Sequence, residues 1–222
     1  NTINNKSDIK AKNTISITSN KLVNNTHTII AGIEEDNSLN TSGNLIITSN
    51  TIDTTHSTLH ATNDLTLNVD TLNNKESSII QAGNDLTINS QGDITNSSSL
   101  SSLHNIDITT QTTLLNNGLI NASNDLTINS NNLLNNRTLF SANDMKLYTI
   151  DTLKNNEDAN IFAINNLTMA KNTANEKTLS IINEKATIQT LNKDISVYAN
   201  SLENITDEPV IDTIYNINGR TQ

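Results

Sequence analysis

The stretch Asn124-Asp125-Leu126-Thr127-Ile128-Asn129-Ser130-Asn131-Asn132-Leu133-Leu134-Asn135-Asn136 decides the fold, together with the Phe140-Ser141-Ala142 and the fresh Asn143-Asp144 that follow it. Asn124-Asp125 is a turn signal, because both side chains bond nearby backbone and tolerate left-handed conformations. Leu126-Thr127-Ile128 alternates in, out, in, which is the strand period of two. Residues 129–132 form a polar corner. Leu133-Leu134 is a second short apolar stretch, closed by Asn135-Asn136. Phe140-Ser141-Ala142 reads as a third in-out-in strand before the cycle restarts.

The cycle recurs along the chain. Its opening phrase returns as Asn63-Asp64-Leu65-Thr66-Leu67 and Asn84-Asp85-Leu86-Thr87-Ile88, with looser copies at 143–147 and 165–169. The leading apolar residue falls at 45, 65, 86, 106, 126, 145, 167 and 186, in steps of 19 to 22. The second apolar site recurs as Ile3, Leu22, Ile52, Leu72, Ile94, Leu115, Leu134, Leu153 and Leu191, often backed by an Asn-Asn pair. The third recurs as Ile9-x-Ala11, Ile29-x-Ala31, Leu59-x-Ala61, Ile80-x-Ala82, Ile120-x-Ala122, Phe140-x-Ala142, Ile161-x-Ala163 and Val197-x-Ala199.

Three ladders in register, with a period near twenty, mean a solenoid. Helical repeats need apolar residues at i, i+3, i+4 and i+7 over ten or more residues, and no repeat shows them. Leucine-rich repeats carry one strand per repeat, where this chain has three. The expected fold is therefore all-β: a three-sided, right-handed parallel β-helix of roughly ten coils, with handedness set by the rule for parallel crossovers. At about 4.8 Å per coil the rod is on the order of 50 Å long. Corner Asn residues are placed to stack as amide ladders.

Composition agrees. Apolar residues make up 34% of the 222 residues, and only Phe140, Phe162, Tyr148, Tyr198 and Tyr215 are aromatic, so the core is Ile, Leu, Val and Ala in flat layers. The 42 Asn residues sit at fixed places in the repeat, as ordered turns require and a disordered low-complexity chain does not. A net charge of −10 argues against nucleic acid or an anionic membrane surface as partner. No apolar run is long enough to span a bilayer. With no Cys, disulfides and thiol chemistry are excluded.

The repeat breaks in two places. Twelve residues, Gly32 to Gly43, lie between Ala31 and Asn44, where a single residue separates Ala122 from Asn124. Solenoid insertions project from one face and often bind, so Glu34, Glu35 and Asp36 are the candidate partner-binding residues. The plain alternative is a tolerated surface loop. After 188 the spacing contracts, and Pro209 cannot sit in a central ladder. The expected organisation is a β-helix over 1–202 and an irregular end, a cap or linker, over 203–222.

Asp64, Asp85, Asp125 and Asp144 share one corner position, where stacked carboxylates can act as acid and base or bind a cation. That makes a carbohydrate-active β-helix enzyme, a polysaccharide lyase or hydrolase, the alternative function. Asn44, Asn105 and Asn166 fill the same position, however, which suits a turn residue better than a catalyst. His27, His56, His60 and His104 share no coil position, so no metal site is expected. No nucleophile elbow or phosphate-binding glycine loop is present. Thr66, Thr87, Thr127, Thr168 and Thr187 are expected to form an outward column; Asp107 and Lys146 interrupt it, so it reads as ordinary strand surface rather than a water-ordering array. No catalytic residue, cofactor or metal is expected.

The cycle Asn-Asp-Leu-Thr-Ile, Leu-Leu-Asn-Asn, Gly118-Leu119-Ile120-x-Ala122 resembles the filamentous haemagglutinin repeats of two-partner secretion exoproteins, which include adhesins and contact-dependent growth inhibition effectors. The resemblance covers roughly residues 1–200. It implies a non-enzymatic structural and adhesive segment of a long rod on the surface of a Gram-negative cell. It also implies passage through an outer-membrane transporter barrel and a receptor, protein or glycan, on a target cell. The chain carries neither the Asn-Pro-Asn-Leu-type secretion motif nor the Val-Glu-Asn-Asn boundary of toxin tips, so it reads as an interior shaft segment.

Overall fold

Each corner Asn-Asp turn feeds a strand, and successive copies of that strand pair in parallel. Ile15, Leu45, Leu65, Leu86, Ile106, Leu126, Met145, Leu167 and Ile195 stand in consecutive register. The computed structural model describes residues 1–206, and all regular elements among them are strands. The chain is a parallel β-solenoid of about ten turns, with successive turns about 20 residues apart.

The three sides of each coil group into two sheets. The third sides form a nine-stranded sheet, from Ile9–Ala11 to Thr187–Thr190. The first and second sides belong to one fourteen-stranded sheet folded over a bend. In five coils a single strand runs through that bend: Thr14–Asn25, Asn44–Thr55, Leu65–Asn74, Leu126–Asn135 and Met145–Asn155. The first corner is thus a bend in a strand, with a register shift between Ser130 and Asn132 where two coils differ in length.

Inward side chains stack on their counterparts. Leu65, Leu86, Ile106 and Leu126 on the first side, Ile52, Leu72 and Ile94 on the second, and Leu59, Ile80 and Ile120 on the third are all fully buried. Each such side chain contributes roughly 1.5–3 kcal/mol of transfer free energy.

The core also contains a polar column. Asn74, Asn96, Asn116, Asn135, Asn155, Asn183 and Asn204 donate and accept in sequence, Nδ2 to the next coil's Oδ1, at 2.7–2.9 Å. The second amide hydrogen goes to backbone: Asn116 to Thr138 O and Asn135 to Asn160 O, both at 3.1 Å. The amides from Asn74 to Asn155 are fully buried and therefore satisfied, as a dry interior demands, while the column emerges at the half-buried Asn183 and exposed Asn204. Thr54 takes one place in the column, and its hydroxyl donates to Asn74 Oδ1 at 2.8 Å. The expected corner amide ladder exists, and its inward position makes it part of the core.

Several ladder positions differ from the expected ones. Ile94 aligns with Leu114 and then Leu133, so Leu115 and Leu134 face outward, one residue beyond the core column. Ile120 aligns with Leu139, and Ala122 with Ser141, so Phe140 faces outward and Ala142 lies past the strand. The cause is local: in Leu-Leu and Leu-Phe pairs both residues are apolar, so alternation alone fixes neither phase. Ser141 replaces Ala in the small inward corner, because its Oγ can donate to Asn124 O at 2.7 Å and Asp144 O at 2.8 Å.

The last coils differ more. Leu167 pairs with Ile195, and Ile161 with Ile188. Residues 186–188 therefore lie on the third side, Val197-x-Ala199 is not a third-side copy, and Leu191 is 67% exposed while Ile181 fills the second-side column. The shift comes from a loop at 171–177, between strands Leu167–Ala170 and Thr178–Glu184. Beyond it the coil is regular, and strand Ala199–Ile205 pairs with Thr178–Glu184. Residues 203–205, the start of the expected irregular end, continue this strand, and Pro209 with the rest of that end, 207–222, lies outside the described residues.

Candidate functional site

The corner acids carry the enzyme alternative. Asp64 Oδ1 accepts from Asn84 Nδ2 at 2.8 Å and from the Asp85 backbone N–H at 3.3 Å. Asp125 Oδ1 does the same with Asn143 Nδ2 at 2.6 Å and Asp144 N–H at 3.1 Å. Asn105 Oδ1 accepts from Asn124 Nδ2 and Asp125 N–H in the same geometry. What the position needs is one Oδ1 acceptor for the next coil's turn, which Asp and Asn supply equally. The Oδ1 atoms of Asp64 and Asp125 are thus engaged by the amide and backbone N–H of the next coil's turn.

Asp85 adds a contact to His104, whose Nδ1 lies 2.8 Å from its Oδ1 on an exposed corner. His60 faces outward on the third side between Ile30 and Gln81, and burial lowers its pKa while a Gln81 hydrogen bond raises it. Among the described residues no group of three or more His, Cys, Asp or Glu is placed to hold a metal ion. In the outward Thr column Thr66, Thr87, Asp107, Thr127, Lys146 and Thr168 are in register. Thr187 is not part of it; it pairs with Asn160 on the third side, because the 171–177 loop displaced the count. Asp107 is pushed above the ordinary carboxylate value, first by partial burial and then by Asp85.

The insertion at 32–43 folds back on itself. Gly32 opens it at φ 99°, where a Cβ would stand 1.8 Å from Thr62 Oγ1, so only glycine fits. Ile33 and Leu39 form an antiparallel bridge, and Asn40 N–H donates to Gly32 O at 2.9 Å, closing the base. Glu34 accepts from Lys12 Nζ at 2.8 Å and Asn40 Nδ2 at 3.0 Å, and these contacts hold its carboxyl below the ordinary range. Asp36 accepts from Ser38 Oγ at 2.6 Å and Ser38 N–H at 3.0 Å, with the same effect. Glu35 is exposed. The three acids gather with Lys12 and Ser38 around a shallow depression of about 420 Å³. Two of them also serve the loop's own structure.

The second insertion is the feature that sequence reasoning missed. Lys171 N–H donates to Glu176 O at 2.8 Å, and Asn172 Oδ1 accepts from Ala174 and Glu176 N–H groups. Its signal was available: Lys171 to Lys177 has no strand alternation and two Asn residues. It was masked because Ala186-Thr187-Ile188 imitates an opening strand at nearly the right distance.

The chain carries Asn-Asp corners, three sides per coil and a buried amide column, and its sequence matches a known repeat family. The haemagglutinin repeat matches residues 1–49, 33–98 and 99–190. The chain belongs to the haemagglutinin repeat family. Comparison with curated proteins and with solved structures gives no match. Haemagglutinin repeats are structural, adhesin-like elements of secreted or cell-surface exoproteins. The filamentous haemagglutinin-like expectation is thereby established for the repeat region. No helix among the described residues is long and apolar enough to cross a membrane.

Proposed function

We propose that this chain is a stiff, non-enzymatic shaft segment of an adhesive exoprotein on a Gram-negative cell. It would reach that surface through an outer-membrane transporter barrel. Its work is to hold a binding or toxin-bearing region away from the producing cell and to contribute target-cell contact itself. The observation that carries this reading is the unbroken parallel pairing from Thr2–Asn5 to Ala199–Ile205 in a chain of the haemagglutinin repeat family. Continuous coil-to-coil bonding makes a rod whose neighbours support one another.

Target contact is assigned to the insertion 32–43, with Glu34, Glu35 and Asp36 toward a protein or glycan receptor. The test is binding of labelled chain to epithelial and bacterial cells, comparing wild type with a 33–42 deletion. Weaker binding by a folded deletion variant supports the assignment. Unchanged binding removes the loop, and absence of binding by the wild type removes the adhesive role and leaves only the shaft.

A further inference from the structure

The outward face of the third side differs in charge from the other two. Two outward columns run along it in register, one from Thr28 to Thr187 and one from Ile30 to Gln189. Over that length neither column holds an Asp, Glu, Lys or Arg, although the chain has 13 Lys and Arg and 23 Asp and Glu. The first side carries Asp107 and Lys146 outward, and the second carries Lys21, Asp53 and Lys154. His60 is the one titratable group in the two columns. Burial lowers its pKa below the ordinary 6.5, so it is uncharged at neutral pH.

The same face presents apolar side chains to solvent. Ile79 is 43% exposed and Leu119 39%. Half-buried Ile30, Phe140 and Phe162 stand in the other column, and the two Phe rings pack edge to face with centroids 5.5 Å apart. The acidic insertion does not cover them. The bonds that seat it are to Ala11, Lys12 and Thr62, at the ends of the third-side strands, so it sits at the corner beside the columns.

The pattern is self-complementary about a single two-fold axis. Strand Ser99–Ser102 is the fifth of the nine third-side strands. Place the axis along it and lay a second copy face to face, its rod reversed. Each column then meets its own counterpart. Ile30 meets Phe162, Ile79 meets Leu119 and His60 meets Phe140, each twice. Polar positions match as well: Gln81 meets Asn121, and Thr58 meets Thr138. Moving the axis half a coil either way sets Phe162 against Lys10 or Ile30 against Gln189. An isologous interface needs this kind of self-matching. The face measures about 40 by 13 Å, from strands spaced ~4.8 Å apart and four residues of ~3.3 Å each. That is roughly 500 Å² on each copy and about 1,000 Å² for the pair, at the lower end of specific interfaces. Elsewhere the net charge of −10 pushes two copies apart.

We propose that two copies of this chain pair side by side and antiparallel through the uncharged third-side face, about a two-fold axis at Ser99–Ser102. The pairing covers Ile79 and Leu119, which a solvated sheet would otherwise leave exposed. It goes beyond the shaft reading: the paired rod is thicker and carries its two 32–43 insertions at opposite ends.

The test is sedimentation velocity of the chain over a concentration series reaching about 0.5 mM, since an interface of this size gives a weak dimer. A reversible monomer–dimer equilibrium is expected. Ile79→Glu and Leu119→Lys should each weaken it by at least about tenfold, because each buries an unpaired charge against an apolar partner. An equimolar mixture of the two variants should recover the dimer, since the new carboxylate of one copy meets the new ammonium of the other. Ile46→Glu, at a 39% exposed outward position of the first side, should change nothing. Circular dichroism checks that each variant is folded. A wild type that stays monomeric throughout, single variants that dimerise like wild type, a mixture that stays monomeric, or a loss caused equally by Ile46→Glu overturns the proposal. Sedimentation is read on the chain alone, so a monomeric result leaves the shaft reading standing.

Discussion

Two insertions interrupt one solenoid, and only the first was legible in the sequence. Residues 32–43 fall between Ala31, which ends a third side, and Asn44, which starts the next first side. Both flanking signatures stay intact, so the extra residues show as a gap between two recognisable phrases. Residues 171–177 fall inside a coil, between its first and second sides. They split a signature that in neighbouring coils is one continuous strand, and the phrase downstream imitates a different side. A repeat therefore reveals insertions between its units more readily than insertions within them.

The largest expected effect tests the reassigned coil. Ile181→Ala should cost about 2–5 kcal/mol in urea unfolding, because Ile181 fills the fully buried second-side column. Leu191→Ala, at the position that periodicity had favoured, should stay within about 0.5 kcal/mol. Equal costs would mean that the 171–177 loop is misplaced.

The bases of the two insertions should differ next. Gly32→Ala forces a Cβ into Thr62 at φ 99° and should cost about 1–2 kcal/mol or more. Asn175→Gly should be close to neutral, since Asn175 already adopts φ 58° in an exposed turn. Thermal unfolding of the pair distinguishes a constrained base from a tolerant one.

Removing the loops should matter less. Both are already closed at the base, by Asn40 N–H to Gly32 O and by Lys171 N–H to Glu176 O. Deleting 33–42 or 172–176 should therefore change stability by no more than about 1 kcal/mol. Loss of cooperative unfolding in either variant would show that the loop supports the coils.

The smallest effect is pH-dependent and local. Glu34 has its folded pKa lowered from the ordinary 4.5, first by the Lys12 hydrogen bond and then by Asn40. A depressed carboxylate pKa means the contact is fully present above the unfolded value and is lost as pH falls through the folded one. Amide shifts of residues 33–40 should therefore move below pH 4.5, while global unfolding is little altered because the pair is exposed. Lys12→Ala should shift that transition upward; an unmoved midpoint would show that Lys12 does not hold the loop.

Much of the coil was readable because its signals were redundant. The first-side column from Leu45 to Leu167 stands where spacing placed it, since Asn-Asp corners fix its phase. Leu115, Leu134 and Phe140 were misread by one residue because two adjacent apolar residues leave the phase open. Which of them points inward follows from backbone pairing with the coil below, where Leu114 stacks on Ile94 and Leu139 on Ile120. The corner Asp residues were read correctly as turn residues, since Asn alternates with them.

The sequence by itself determined that this protein is a β-solenoid of about twenty residues per coil, with Asn-rich corners and an insertion after Ala31. Those properties are local and repeated, so alternation and turn chemistry suffice to state them. Tertiary structure alone decided that the inner Asn residues form a buried hydrogen-bonded column and that Ile181 rather than Leu191 completes the core. Each of these depends on which residue of one coil lies above which residue of the next. That register is set by backbone bonds between distant segments, and no single stretch of sequence contains it.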